Sequence, residues 1–152
     1  MARTAVGLGR LAELSGWQAD RTRAFRRAAL LYLACFLAHN GDHLRRGVDV
    51  LTPEVLWAGS AAGIAASLAI ALALVGHRLA PLVAVATGFP TALGVAAVHL
   101  LPPWSAFSDA FPGGEVDALS WLAVLLEIAG ALAFGVVGAL LLPAEREGSH
   151  EV

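Results

Sequence analysis

Long apolar stretches separated by short polar breaks dominate the chain. Charged residues are absent from Val55 to Gly76 and from Leu79 to Val98, and Glu127 is the one charge between Ala118 and Leu142. A helix crossing a bilayer needs about 20 apolar residues at ~1.5 Å rise each. These stretches therefore predict three spanning helices. A fourth apolar run, Ala28 to Ala38, is too short to cross alone and spans only by carrying His39-Asn40-Gly41-Asp42-His43 into the membrane. The expected helices run over about 25–46, 53–75, 80–101 and 118–142.

The breaks agree with this division. Gly47 ends the first helix, Thr52 is placed to cap the second, and Pro53 suits its first helical position. Gly76-His77-Arg78 is so short a link that helices two and three must be antiparallel neighbours, with His77 and Arg78 as an interfacial anchor. The longest loop, 102–117, carries Trp104, Phe107, Phe111 and three carboxylates but no base. The fold class that follows is all-α: an integral membrane four-helix bundle, antiparallel and up-down-up-down. Residues 1–24 form an arginine-rich tail, 25–142 the transmembrane domain, and 143–152 a second tail containing His150.

Composition confirms the class and adds an orientation. The chain is 58% hydrophobic and 14% charged, against about a quarter charged in soluble domains. All ten basic residues are arginine, and six of them (Arg3, Arg10, Arg21, Arg23, Arg26, Arg27) precede the first apolar run. Such a cluster keeps the N-terminus in the cytoplasm. Four crossings return the C-terminus to the same side, which leaves only Arg45 and Arg46 outside and predicts a multi-pass protein of the plasma membrane. Trp57, Trp104 and Trp121 then sit at outer helix ends, where amphipathic rings favour the headgroup level. The same topology explains the arginines without nucleic acid, so the bilayer is the expected partner. Leu8, Leu11, Leu14 and Trp17 recur among these arginines at three-residue spacing, a pattern suited to the membrane surface or to an irregular tail. The segment ahead of the apolar run is too long and its flank unsuitable for a cleaved leader. A single cysteine, Cys35, excludes an intramolecular disulfide and a thiolate cluster, leaving it to packing.

Small residues mark the expected helix contacts: Gly59 and Gly63 on helix two, and Gly130 and Gly135, with Ala131 and Gly138, on helix four. Such residues let backbones approach where apolar burial drives nothing. Joining helices of one chain is the first expectation, and a homo-oligomer or a membrane-complex partner stays open. Pro90 is expected to bend helix three.

The polar chemistry concentrates near one membrane face. His39, Asp42, His43 and Arg46, at i, i+3, i+4 and i+7, share one stripe of helix one. Counted from Arg27, the two histidines lie about 18 and 24 Å into a layer roughly 30 Å thick. Glu127 lies about 14 Å from the outer end of helix four, near the level of His39, and shares a face with Gly130, Ala131, Phe134 and Gly138. His99 closes helix three, nearer His43 than His39, and the loop bearing Asp109 covers the set. Ionisable groups at this depth cost several kcal/mol unless paired or wetted. They must face an interior pocket formed by His39, Asp42, His43, Arg46, His99, Asp109 and Glu127.

Three uses of that pocket stay open. A divalent metal takes ligands from His39, Asp42, His43, His99 and Glu127, as in metal-binding helical bundles; a haem, held by His99 opposite His39 or His43, ranks below it. A proton, ion or small-ligand relay runs through Glu127 and the imidazoles. In an accessory or scaffold subunit, Asp42 simply pairs with Arg45 or Arg46, and the other groups bond within the bundle. Nucleophilic catalysis finds little support, and whether the chain is an enzyme stays open: Ser105 and Ser108 lack a nucleophile elbow and have only His99 or His43 as a base, lysine is absent, and no phosphate loop occurs.

Overall fold

The computed structural model describes residues 2–142, with side chains described from Asp20 onward. It is all-helical: α1 (Ala2–Arg46), a 3-10 turn (Val48–Val50), α2 (Pro53–Val75), α3 (Ala80–Leu100) and α4 (Ala118–Leu141), with no strand among the described residues. α2, α3 and α4 are long and apolar enough to cross a membrane, and α1 is not among them. Exposed leucines such as Leu37, Leu68, Leu93 and Leu125 coat the bundle's outer surface, which suits contact with lipid.

One expectation needs adjustment. α1 begins at Ala2 rather than near Phe25, because hydropathy marks only the stretch that packs, whereas alanine, leucine and arginine also favour helix outside it. Pro90 sits inside α3, which continues unbroken on either side of it. The side chains of Leu8, Leu11, Leu14 and Trp17, and the whole of the tail with His150, lie outside the described residues.

Helix ends follow local chemistry. Thr52 Oγ1 accepts from Val55 N at 3.2 Å and Pro53 occupies the first helical position of α2. Gly76 ends α2 in the left-handed region, φ 72°, donating to the Ala73 and Leu72 carbonyls. That conformation strains any residue with a Cβ. Asp117 caps α4 by accepting from Ser120 N at 3.0 Å.

The helices pack as a ring in chain order, closed by α1 against α4, with the most extensive contact between α3 and α4. Glycines make that contact close. A Cβ on Gly88 would stand 2.6 Å from the Ala131 carbonyl oxygen and 2.8 Å from Gly135 N, and one on Gly138 would stand 2.9 Å from Ala84 Cβ. Gly130 lies against Tyr32 and Cys35 of α1, and Gly63 against Phe36. Four glycines singled out in the sequence thus join helices of one chain. Gly59 does not: it is exposed and nothing lies near it. Gly88 is the tightest of all, and it stands in a run of small residues at four-residue spacing, Ala80, Ala84, Gly88 and Ala92, that line the buried face of α3.

Toward the α1 N-terminal side the interior is filled by stacked rings, Phe25 on Phe134 at 5.5 Å and Tyr32 on Phe134 at 5.6 Å. α2 contributes to this core only with its second half, through Ala66, Ala69, Ile70 and Ala73. Residues 56–62 of α2 are exposed.

Candidate functional site

The buried stripe of α1 runs Phe25, Ala28, Ala29, Tyr32, Cys35, His39 and Asp42. The three- and four-residue steps that aim apolar side chains at α4 therefore carry a histidine and an aspartate into the same seam. Ser120, Ala123, Val124, Glu127, Gly130 and Ala131 form the facing stripe of α4. His39 and Glu127 meet across it, His39 Nδ1 donating to Glu127 Oε2.

His39, His43 and His99 form one group whose ligand atoms all lie within 4.8 Å of one another. Their ring centroids are 4.6 Å apart for His39 and His43, 5.0 Å for His39 and His99, and 5.5 Å for His43 and His99. His99 is therefore slightly closer to His39 than to His43, the reverse of the sequence expectation. The rings themselves bridge α1 and α3, which stand on opposite sides of the bundle.

Hydrogen bonds decide which ring nitrogens are free. His99 Nδ1 lies 3.0 Å from the Asp109 carbonyl oxygen. A carbonyl only accepts, so the proton is on Nδ1 and a neutral His99 presents the lone pair of Nε2. At His39 an ionised Glu127 carboxylate accepts from Nδ1 in the same way. His39 Nε2 and His43 Nδ1 are buried and have no partner. Carboxylate or carbonyl acceptors behind an imidazole are the usual supports of metal-ligating histidines, fixing tautomer and ring orientation.

The loop after α3 supplies that support for His99. Asp109 N donates to Val98 O at 3.1 Å and Phe111 N to His99 O at 2.9 Å, which lays 109–111 along the end of α3. Arg46 then grips the Asp109 carboxylate with two nitrogens, at 2.9 and 3.1 Å, and its guanidinium lies over the Phe111 ring. Phe111 is buried against His99 and Trp121. Ser105 and Ser108 are turn residues, their hydroxyls accepting from loop backbone N–H groups, Ser105 from Phe107 and Ser108 from Trp104.

Two residues named as candidate ligands take other partners. Asp42 turns from the histidines toward α4 and is held by Arg45 at 2.7 and 2.9 Å. Arg45 also reaches Asp117 and Ser120 Oγ, both at 3.0 Å. The reason is angular: Asp42 lies about 60° from His39 around the helix, enough for one to face α4 squarely and the other the α3 side. Glu127 spends its contact on His39 and stands behind the ring. Outside the spanning segments, Asp117 is held below the usual carboxylate range, first by the Ser120 backbone N–H and then by the Arg45 guanidinium. Arg45, Asp117 and Ser120 form a network that the α1 stripe alone did not reveal, although Asp117 and Ser120 stand at cap spacing in the sequence.

The three rings touch edge to face and at a tilt, so no gap for a porphyrin plane lies between His99 and either histidine of α1. Three imidazoles at this spacing are compatible with a metal site. No family model, curated protein or solved structure matches this chain.

Proposed function

We propose that this protein is a small multi-pass membrane protein that binds one divalent transition-metal ion through His39, His43 and His99. Its N-terminus lies on the cytoplasmic side of the plasma membrane and the histidines in the outer half of the bilayer, as the arginine distribution requires. The observation that carries this reading is the pairing of supported and free nitrogens. His39 and His99 each have Nδ1 on an acceptor, while His39 Nε2 and His43 Nδ1 are buried with no partner. A buried lone pair without a partner costs about 1–3 kcal/mol, and a metal ion satisfies several at once.

Neutral imidazole is the preferred donor for zinc, copper, nickel and iron, and zinc accepts three nitrogens with a fourth position open. Such an ion supplies Lewis acidity at that open position. Glu127 balances part of its charge through His39, and Asp109, tied down by Arg46, keeps the His99 tautomer fixed. A proton path across the bundle has less support, because Tyr32, Phe134 and Phe25 fill the interior beyond Glu127.

Elemental analysis after chelator-free purification tests the reading. About one zinc, or another ion of this class, per chain is expected, with loss in a His39→Ala, His43→Ala double variant that keeps its helical circular dichroism. A wild-type protein that takes up no metal when titrated with zinc, copper or nickel overturns it.

A further inference from the structure

A cavity of about 920 Å³ opens beside the histidines, walled by α1, α2 and α3. It exists because α2 is pinned at two places and free between them. Its second half packs in the core, and its start is tied to the long loop by Thr52 Oγ1 donating to the Ala106 carbonyl. Between them residues 56–62 are exposed, and contact with α1 resumes where Gly63 meets Phe36. Coordinated water needs about 30 Å³, whereas sites for organic ligands span roughly 300–1,000 Å³. The space matches an organic molecule.

Its polarity is one-sided. Phe36, Val55, Ile64, Val95 and Phe107 line the walls, while His39, His43, His99 and Glu127 gather at one end. Several wall residues that look polar offer little. Ser60 and Thr87 donate to carbonyls one turn back at 2.7 Å, and Asn40 does the same at 2.8 Å. Among the described residues that line the cavity, the buried polar atoms lacking partners are His39 Nε2 and His43 Nδ1, at the histidine end. The neighbouring outer surface carries exposed Leu56, Ile64, Leu68 and Leu93, so the route to the cavity lies through lipid.

We infer that the cavity binds a single-chain amphiphile drawn from the bilayer, its oxygen-bearing head at His39, His43 and His99 and its hydrocarbon chain between α2 and the α1–α3 wall. A water-soluble, multiply hydrogen-bonding substrate is disfavoured, since such walls leave its polar groups unpaired. The identity of the head's partner rests on the metal reading: a carboxylate or hydroxyl oxygen takes the ion's open position. The seat of the chain rests on the cavity alone.

The test uses full-length protein in lipid nanodiscs, loaded with zinc, and hexadecanoic acid carrying a diazirine near its tail. Mass spectrometry is expected to find the label on cavity-facing residues of 55–64 and 87–98, competed by unlabelled hexadecanoic acid. A headless diazirine hexadecane is expected to label these positions far less. Gly94 lines the cavity and a Cβ there meets nothing within 4 Å, so Gly94→Leu fills the space without touching the histidines. This variant should lose about tenfold or more of the labelling while binding zinc as before.

Equal labelling by the alkane, labelling spread over lipid-facing residues of α4 such as Leu122 and Leu125, or insensitivity to Gly94→Leu overturns the proposal. If zinc fails to bind yet the acid labels wild type and not Gly94→Leu, the metal reading falls and the chain's seat stands. If zinc binds and the cavity is never labelled, the amphiphile falls and the metal reading stands.

Discussion

Glu127 on α4 accepts a hydrogen bond from His39 on α1 across 88 residues of sequence, and both side chains are buried. This bond sets the height at which the two helices match and turns the imidazole so that Nε2 faces the other histidines. A buried carboxylate is costly without such a partner, so one contact serves both the packing and the chemistry of the site.

Replacing the carboxylate while keeping an acceptor separates those two roles. Glu127→Gln is expected to lower zinc affinity about 10–100-fold, as other supports of ligating histidines do, with little change in unfolding temperature. Glu127→Ala leaves His39 Nδ1–H unpaired and should in addition destabilise by about 1–3 kcal/mol. Calorimetric zinc titration and thermal unfolding in detergent read the two effects. Wild-type affinity in both variants would remove Glu127 from the site.

Acid should release the metal. A ligating imidazole must be neutral, so protons compete with the ion, and affinity is expected to fall in acid. The sign follows directly: lowering pH favours the protonated, metal-free form. Zinc affinity that stays constant down to the pH at which the helices unfold would be incompatible with three histidine ligands.

The Arg45 network offers a separate acid response. Asp117 is held below its ordinary range by the Ser120 backbone N–H and by Arg45, so its ionised form is favoured in the folded state. Its stabilisation is present above the ordinary carboxylate pKa and is lost as pH falls through the depressed value. Asp117→Asn, which keeps a capping side chain, should unfold at a lower temperature than wild type at neutral pH, and that gap should close in acid. Asp117→Ala should be less stable than Asp117→Asn. A gap that persists unchanged in acid would deny the ion pair any role.

Two glycine substitutions should diverge. Gly88→Ala puts a Cβ against the Ala131 carbonyl and Gly135 N, and backbone cannot move aside as a side-chain tip does. A loss of about 1–3 kcal/mol is expected. Gly59→Ala meets nothing within 4 Å and should be neutral or stabilise by up to about 1 kcal/mol through helix propensity. Unfolding in detergent compares them. Equal effects would mean that the α3–α4 approach is looser than described, or that the Gly59 face is covered by another chain.

Much of this molecule was legible in the sequence. Hydropathy marked α2, α3 and α4, and Thr52-Pro53 and Gly76 marked two of the breaks. The 100° step of a helix put His39, Asp42 and His43 on one side of α1 and Glu127 on the packing side of α4. Such inferences work because rise, azimuth and capping are properties of neighbouring residues along one chain.

What lies between helices was not legible. Asp42 left the histidines for Arg45, and His99 came closer to His39 than to His43. Gly88 became the tightest contact, and residues 56–62 of α2 stayed exposed beside a cavity. These outcomes depend on helix tilt, register and rotation, which arise from side chains far apart in sequence settling against each other. The amino-acid order by itself determined that apolar helices dominate and that imidazoles and a carboxylate ride on their inward faces. Only the tertiary structure decided which nitrogens are supported and which are free, because a hydrogen bond is fixed by the position of both partners, and a linear pattern specifies each partner separately.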